Sequence, residues 1–329
     1  MQAEATVPNA EAVDEAARHL RSGGLVAFPT ETVYGLGADA TNPVAVAEIY
    51  RVKGRPSTHP LIVHVGDAGE LDRWASSVPA AASRLAGALW PGPLTLVLSR
   101  HPRLAADASG GLGTVALRMP DHPVARALLD RSGRPIAAPS ANRFGRVSPT
   151  TAADVRAEFG AAVPIVLDGG PSRVGVESTI VELVGPEPVL LRPGGVPVEV
   201  VEAVLGVRVR RRPAGPARAP GMLPSHYAPR AAVVLARPDE LRATIERHRD
   251  HGLVAVVAPD AVLASLELPD GCWALGAPVD DEVYARQLYR YLRDADEGGA
   301  AIVIAVAPPR SGLGLAVADR LTRAAAPRC

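Results

Sequence analysis

Hydrophobic positions first recur with helical spacing at Val13, Ala16, Ala17 and Leu20. This predicts an amphipathic helix over about residues 11–22, stopped by Gly23-Gly24. The apolar run Leu25–Phe28 then predicts a buried strand. Further apolar, partly β-branched runs lie at Leu61–Val65, Leu94–Leu98, Thr114–Leu117, Pro164–Leu167, Thr179–Leu183 and Val189–Leu191. Helical stretches fall between some of them, at Pro79–Leu89, Pro123–Arg131 and Thr151–Phe159. Several strands follow one another with only a turn between, which predicts a mixed α/β domain with a twisted, partly antiparallel sheet.

The pattern changes near Arg208. Residues 208–230 are rich in proline, glycine and arginine and carry no apolar period, so they read as a linker. Unstructured stretches of that length are uncommon inside compact domains and are often functional. Beyond it the pattern predicts strands at Ala232–Ala236, Leu253–Ala258, near Cys272–Leu275 and at Ala301–Val306. Helices are expected at Pro238–Arg249, Asp281–Ala295 and Leu313–Ala325, an order that resembles a small Rossmann-like unit with a parallel sheet. The expected layout is therefore a first domain over 1–207, a linker over 208–230 and a smaller accessory domain over 231–329.

Composition narrows the function classes. A chain of 329 residues can bury two cores, and 47% hydrophobic residues with zero net charge describe a globular protein. That balance gives no support to wholesale nucleic-acid or membrane binding. The acidic N-terminus lacks the layout of a signal peptide, so a cytoplasmic location is expected. With only Cys272 and Cys329, neither a disulfide framework nor a cysteine zinc site is supported. Of the 35 basic residues only Lys53 is a lysine, which reads either as a position where a compact ammonium is needed or as a chance survivor of a general drift to arginine.

Four segments combine polar side chains with glycine and proline. In FPTETVYGLGAD (28–39), Thr30, Glu31 and Thr32 follow a buried strand, and Gly35 and Gly37 permit close backbone approach to a ligand, or the segment is a tight strand–helix connection. In YRVKGRPSTHPLIVHV (50–65), Lys53 and Arg55 flank a glycine, so both cations are expected to project from one tight loop. Such a pair suits a polyphosphate, or it is a solvated basic turn. His59 and His64 lack the cysteines or carboxylates that would complete a metal site, and His64, in an apolar run, reads as a satisfied, partly buried histidine lining a pocket. Arg118 ends the apolar strand of TVALRMP and needs a partner, either a protein carboxylate or a substrate carboxylate. In IAAPSANRFGRVSPT (136–150), Ser140, Asn142 and Ser148 suit phosphate or Mg²⁺–phosphate, or they cap the helix near Thr151. No Walker-type phosphate loop, GxSxG elbow or aromatic RNA-binding signature is present.

In sequence order FPTETVYGLGAD, KGRP, PLIVHV, WPGPLTLVL, VALRMP, APSAN, ESTIVEL and LLRPGG strongly resemble the YrdC-like family, over nearly all of residues 10–207. Lys53 and Arg55 with Ser140 and Asn142 match its K-x-R…S-x-N signature, read as catalytic. PGMLPSHYAP (220–229) and GLGLAVADRLTRAA are similar to its longer, two-domain branch. The resemblance implies a nucleotidyltransferase that makes threonylcarbamoyl-AMP and pyrophosphate from L-threonine, bicarbonate or CO₂, and ATP. Mg²⁺ would be held mainly by the ATP phosphates, and other proteins would pass the threonylcarbamoyl group to tRNA. It implies that Thr32, His64, Arg118, Ala138 and Ser178 surround threonine. It implies that Lys53, Arg55, His59, Thr114, Ser140, Ser148 and Arg192 surround ATP, with Tyr227 reaching over from a linker that closes on the site. Many relatives carry asparagine where this chain has His59. The rival expectation is an RNA-binding module acting in tRNA or ribosome maturation, with arginines 208, 210, 211, 212 and 218 on phosphates.

Overall fold

The structure is a computed structural model and describes residues 10–211, 219–221, 225–276 and 278–327. The chain forms two compact units, one of residues up to 144 with 148–222, the other of 145–147 with 223 onward.

The first unit runs α1 (Ala10–Arg21), β1 (Val26–Phe28), β2 (Gly35–Asp39), α2 (Pro43–Lys53), β3 (Ile62–His64), α3 (Leu71–Trp74), β4 (Ala75–Ser77), α4 (Ala80–Leu89) and β5 (Leu94–Arg100). It continues through β6 (Thr114–Arg118), α5 (Pro123–Ser132), β7 (Ile136–Ala137), α6 (Ala152–Phe159), β8 (Ile165–Val166), β9 (Thr179–Glu182), β10 (Val189–Arg192), α7 (Val198–Leu205) and β11 (Arg210–Arg211). The strands form one sheet of order β11-β10-β9-β5-β6-β3-β7-β2-β1-β8, with β4 added beside β5. Pairings such as β1/β2 and β5/β6 are antiparallel, whereas β3/β6 and β5/β9 are parallel, so the sheet is mixed as the hydrophobic runs predict. The apolar stripe of α1 packs with Val124, Leu128 and Leu129 of α5 onto Phe28 and Ile136 of the sheet. Each large side chain buried there contributes about 1.5–3 kcal/mol. This core seats β1 and β7, whose following loops build the site.

Two local findings differ from the sequence reading. Gly35–Asp39 is a fully buried strand rather than a loop. Its glycine is required by close packing: a Cβ on Gly37 would lie 2.6 Å from Ile136 Cγ2 and 2.7 Å from Phe28 Cε1. Lys53 and Arg55 also do not share one loop, because Lys53 is the last residue of α2. Asn42 caps that helix by accepting from Val44 N and Ala45 N, and Gly54 ends it in the left-handed region at φ 62°.

The second unit alternates β12 (Ala232–Ala236), α8 (Leu241–His248), β13 (Val254–Val257), α9 (Asp260–Leu263), β14 (Cys272–Gly276), α10 (Asp281–Glu297), β15 (Ile302–Val306) and α11 (Gly314–Ala324). Its four-stranded sheet, β12-β15-β13-β14, is parallel throughout, as expected of a Rossmann-like unit. Ile245, Val254, Val256, Ile302 and Ile304 fill its core. The stretch read as a linker is partly structured. Arg210–Arg211 extends the first unit's sheet beside β10, while 212–218 and 222–224 lie outside the described residues. Among the described residues no helix is long and apolar enough to cross a membrane.

Candidate functional site

The loop after β1 organises the first unit's polar residues. Thr30 Oγ1 donates to Val33 O at 2.6 Å and accepts from Thr32 N at 3.2 Å, which locks the turn. Neighbouring loops fasten to it through the backbone. Tyr34 N donates to Pro149 O, Ala141 N to Tyr34 O, and Val174 N to Glu31 O, at 2.9, 2.8 and 2.8 Å. The segments around 138–150 and 172–178 therefore converge on residues 30–34.

Lys53 ties this assembly to α2. Its Nζ donates to Ser140 O at 2.6 Å and also to Asn142 O. Ser140 Oγ donates to Asn142 Oδ1 at 2.5 Å. Three of the four signature positions thus meet, and Ser140 and Asn142 serve Lys53 rather than the α6 terminus, which Thr151 caps in a reciprocal pair with Asp154. Lys53 is only 3% exposed, and burial with the nearby Arg55 charge pushes its ammonium well below the usual lysine range. Two of its three N–H groups are engaged by carbonyls. Arg55 Nη2 donates to Pro60 O at 2.9 Å and its guanidinium lies 5.7 Å from the Phe144 ring centroid. His59 approaches the same ring, at 5.5 Å.

Arg118 and His64 sit side by side, paired in register where β6 meets β3. The question left open for Arg118 has a protein answer: Glu31 Oε1 lies 2.7 Å from its Nη2. Arg118 Nε also donates to Gly92 O at 3.3 Å. The ion pair is close but poorly directed. Glu31 is 0% exposed, yet neither carboxylate oxygen accepts a hydrogen bond, and Arg118 Nη2 donates none. His64 is fully buried rather than partly, and its Nδ1 makes no hydrogen bond, so that side of the ring is not satisfied as the apolar run suggests. Burial, then the Arg118 charge, lowers His64 to about 3, so the ring is neutral at neutral pH.

A third cluster joins the ends of β9 and β10. Arg192 Nη2 donates to Ser178 O at 2.9 Å and to Ser178 Oγ at 3.1 Å, and its Nη1 donates to Pro220 O at 3.2 Å. Ser178 Oγ and Thr95 Oγ1 share a hydrogen bond at 2.7 Å. Ser148 Oγ donates to Glu177 Oε1 at 2.7 Å. A residue expected at threonine, Ser178, therefore directly touches one expected at ATP, Arg192.

The remaining expected residues are more scattered. Thr114 opens β6 opposite Ser99, and Ala138 N donates to Ile62 O at 2.8 Å. Tyr227 belongs to the second unit, against Tyr289, His226 and Arg320. Three polar groups of the site had no role in the sequence reading: Glu31, Thr95 and Glu177. Thr95 had a legible signal, a hydroxyl inside the apolar run LTLVL. Of the arginines proposed for RNA, Arg208 and Arg210 face Glu202 and Glu187, and Arg212 and Arg218 lie outside the described residues.

Fold and site together define a two-unit α/β protein whose mixed sheet gathers arginine and hydroxyl groups at strand ends, with a lysine supplied by helix α2. The Sua5/YciO/YrdC family, described as telomere recombination, matches residues 18–194. The C-terminal domain of threonylcarbamoyl-AMP synthase matches residues 196–326. The threonylcarbamoyl-AMP synthase of Pyrococcus abyssi is 44% identical over 322 residues, covering 94% of this chain and 92% of the relative. That of Bacillus subtilis is 42% identical over 323 residues, covering 96% and 93%. The crystal structure of P. abyssi Sua5 complexed with L-threonine superposes with a TM-score of 0.89 at 42% identity, covering 96% of this chain and 95% of that one. The chain belongs to the threonylcarbamoyl-AMP synthase family.

Proposed function

We propose that this chain converts L-threonine, bicarbonate or CO₂, and ATP into threonylcarbamoyl-AMP and pyrophosphate, in the cytoplasm, for later transfer to tRNA by partner proteins. The observation that carries the reading is the buried group of Glu31, Arg118 and His64. Glu31 Oε1 and Oε2, Arg118 Nη2 and His64 Nδ1 are buried without a hydrogen bond, the ion pair between Glu31 and Arg118 notwithstanding. Orphaned buried polar atoms are costly and call for a ligand. A zwitterionic amino acid supplies both an acceptor for the guanidinium and donors for the carboxylate and imidazole. P. abyssi Sua5 has been crystallised with L-threonine.

In this reading Arg118 holds the threonine carboxylate, with Thr32, His64, Ala138 and Ser178 around the rest. The amine, once deprotonated, attacks CO₂ to form a carbamate. A carbamate oxygen then attacks the α-phosphorus of ATP, and the bond to pyrophosphate breaks. A carbamate is a weak nucleophile, so the rate rests on holding it in line. The direct Arg192–Ser178 contact suits that demand, since it links the two substrate regions. Lys53, Arg55 and Arg192 would stabilise charge on the phosphates, with His59, Thr114, Ser140 and Ser148 completing the nucleotide surround.

Among the described residues no group of three or more His, Cys, Asp or Glu is placed to hold a metal ion. In this proposal Mg²⁺ would arrive on the ATP phosphates, with the hydroxyls of Ser140 and Ser148 as neutral oxygen donors. When bound it would neutralise phosphate charge. The 208–230 stretch acts as a strap in this proposal. Its Pro220 carbonyl is held by Arg192, and Ala219 packs into the apolar cluster of Ile62, Val97 and Ile180. The test is pyrophosphate release from ATP with threonine and bicarbonate omitted in turn. Dependence on both is expected; release that ignores either one removes the proposal.

A further inference from the structure

The second unit takes in three residues from far upstream. Gly145–Val147 belong to it, and they lie in the chain between Asn142 and Ser148. Three contacts hold them there. Ala228 N donates to Gly145 O at 3.0 Å. Arg146 and Ala228 form a parallel bridge. From α10, Arg293 Nη2 donates to Val147 O at 2.7 Å.

Ala228 is itself fixed by its neighbours. Tyr227 is the one residue other than glycine, among those described, with φ in the left-handed region, at 62°. A bulky side chain there persists only where its surroundings fix it. The Tyr227 ring lies 5.8 Å from Tyr289 of α10, and the Arg320 guanidinium lies 4.9 Å from its centroid. Arg320 has no exposed surface and pairs with Asp319 at 2.7 Å. His226 N donates to Arg323 O at 3.3 Å. Helices α10 and α11 thus hold residues 226–228, which in turn hold 145–147.

The geometry points to Arg293 as a positioning residue for the reaction: with Ala228 it fixes the backbone of 145–147, and thereby the spacing of Asn142 and Ser148. The second unit then has a task in catalysis through the backbone it holds. A guanidinium-to-carbonyl bond is worth about 1.5–3 kcal/mol, so its loss raises local opening about tenfold to a hundredfold. The activity half of this inference rests on the proposed synthase reading; the structural half does not.

The experiment uses the full chain with Arg293→Met, which keeps the apolar stem and removes the donors, and Arg293→Lys, which restores one. Trypsin reports the segment directly, because Arg143 and Arg146 are cleavage sites beside it. Expected for Arg293→Met is cleavage after these two arginines at least about tenfold faster, with an unchanged melting temperature. The KM for ATP rises with kcat nearly kept, and Arg293→Lys recovers part of both effects. Wild-type rates of cleavage and unchanged KM would overturn the inference. If Arg293→Met does not fold, hydrogen exchange in the wild-type chain decides instead. The Ala228 amide should then be protected like those of α10, and rapid exchange would overturn the inference. A wild-type protein releasing no pyrophosphate would sink the synthase reading while leaving the cleavage result to stand alone.

Discussion

Replacing Lys53 by methionine tests the centre of the site. The change keeps most of the side-chain volume and removes the Nζ donors to Ser140 O and Asn142 O. Hydrogen bonds from a charged donor contribute about 1.5–3 kcal/mol each, so the two together hold the 140–142 loop by about 3–6 kcal/mol. At 1.4 kcal/mol per factor of ten, that corresponds to a loss of about 10²–10⁴ in kcat/KM if loop order is what turnover requires. The assay is pyrophosphate release under saturating bicarbonate, with thermal unfolding monitored in parallel to separate misfolding from misplacement. Lys53→Arg should not rescue, because a planar fork does not fit a buried slot shaped for an ammonium. If Lys53→Met stays within about fivefold of wild type, far short of the tenfold expected per 1.4 kcal/mol, Lys53 is a bystander and the reasoning fails.

Other consequences can be measured separately. Removing one partner of the buried Glu31–Arg118 pair should cost about 3–5 kcal/mol, whereas Glu31→Leu with Arg118→Met together should cost less than either single change, read from urea unfolding. A cost of the double change equal to the sum of the two single costs would show that the pair is not coupled. His64 has its folded value lowered to about 3, below the ordinary 6.5, so the unfolded chain binds more protons between those limits and stability falls on acidification. Wild type should lose about 1.2 kcal/mol more than His64→Gln between pH 7 and pH 5.5, and equal losses would refute a buried neutral ring. Chelation of Mg²⁺ should stop pyrophosphate release yet leave the melting temperature of the nucleotide-free protein unchanged. A drop in that temperature would instead indicate a resident structural metal.

Much of this architecture was legible because periodicity reports burial. The α1 stripe of Val13, Ala16, Ala17 and Leu20 is buried as its spacing predicts, and the parallel second sheet follows from alternating strands and helices. What escaped was local chemistry overridden by packing. Strand β2 reads as a turn because Gly35 and Gly37 are there for close approach to Phe28, Ala138 and Ile136, a constraint that only the folded sheet imposes. Helix α2 is signalled by Asn42, Pro43 and Gly54 at its ends rather than by a strong apolar period.

The site was legible as residue types, less so as partners. Lys53 stood out as the lone lysine, yet nothing in the chain tells that its donors go to the carbonyls of Ser140 and Asn142. Glu31 and Arg118 lie 87 positions apart in sequence, and only the convergence of the β1 loop on the β6 terminus brings them to 2.7 Å. Contacts of that kind depend on topology, which periodicity does not encode.

The proposed reaction has a product that can be weighed. The wild-type chain would be incubated with ATP, Mg²⁺, L-threonine and ¹³C-bicarbonate, and the mixture analysed by mass spectrometry alongside a pyrophosphate assay. The expected product is a threonylcarbamoyl-AMP ion that gains one mass unit from the labelled carbon, formed in step with pyrophosphate. Threonyl-AMP without the labelled carbon, or pyrophosphate with no such adduct, would contradict it.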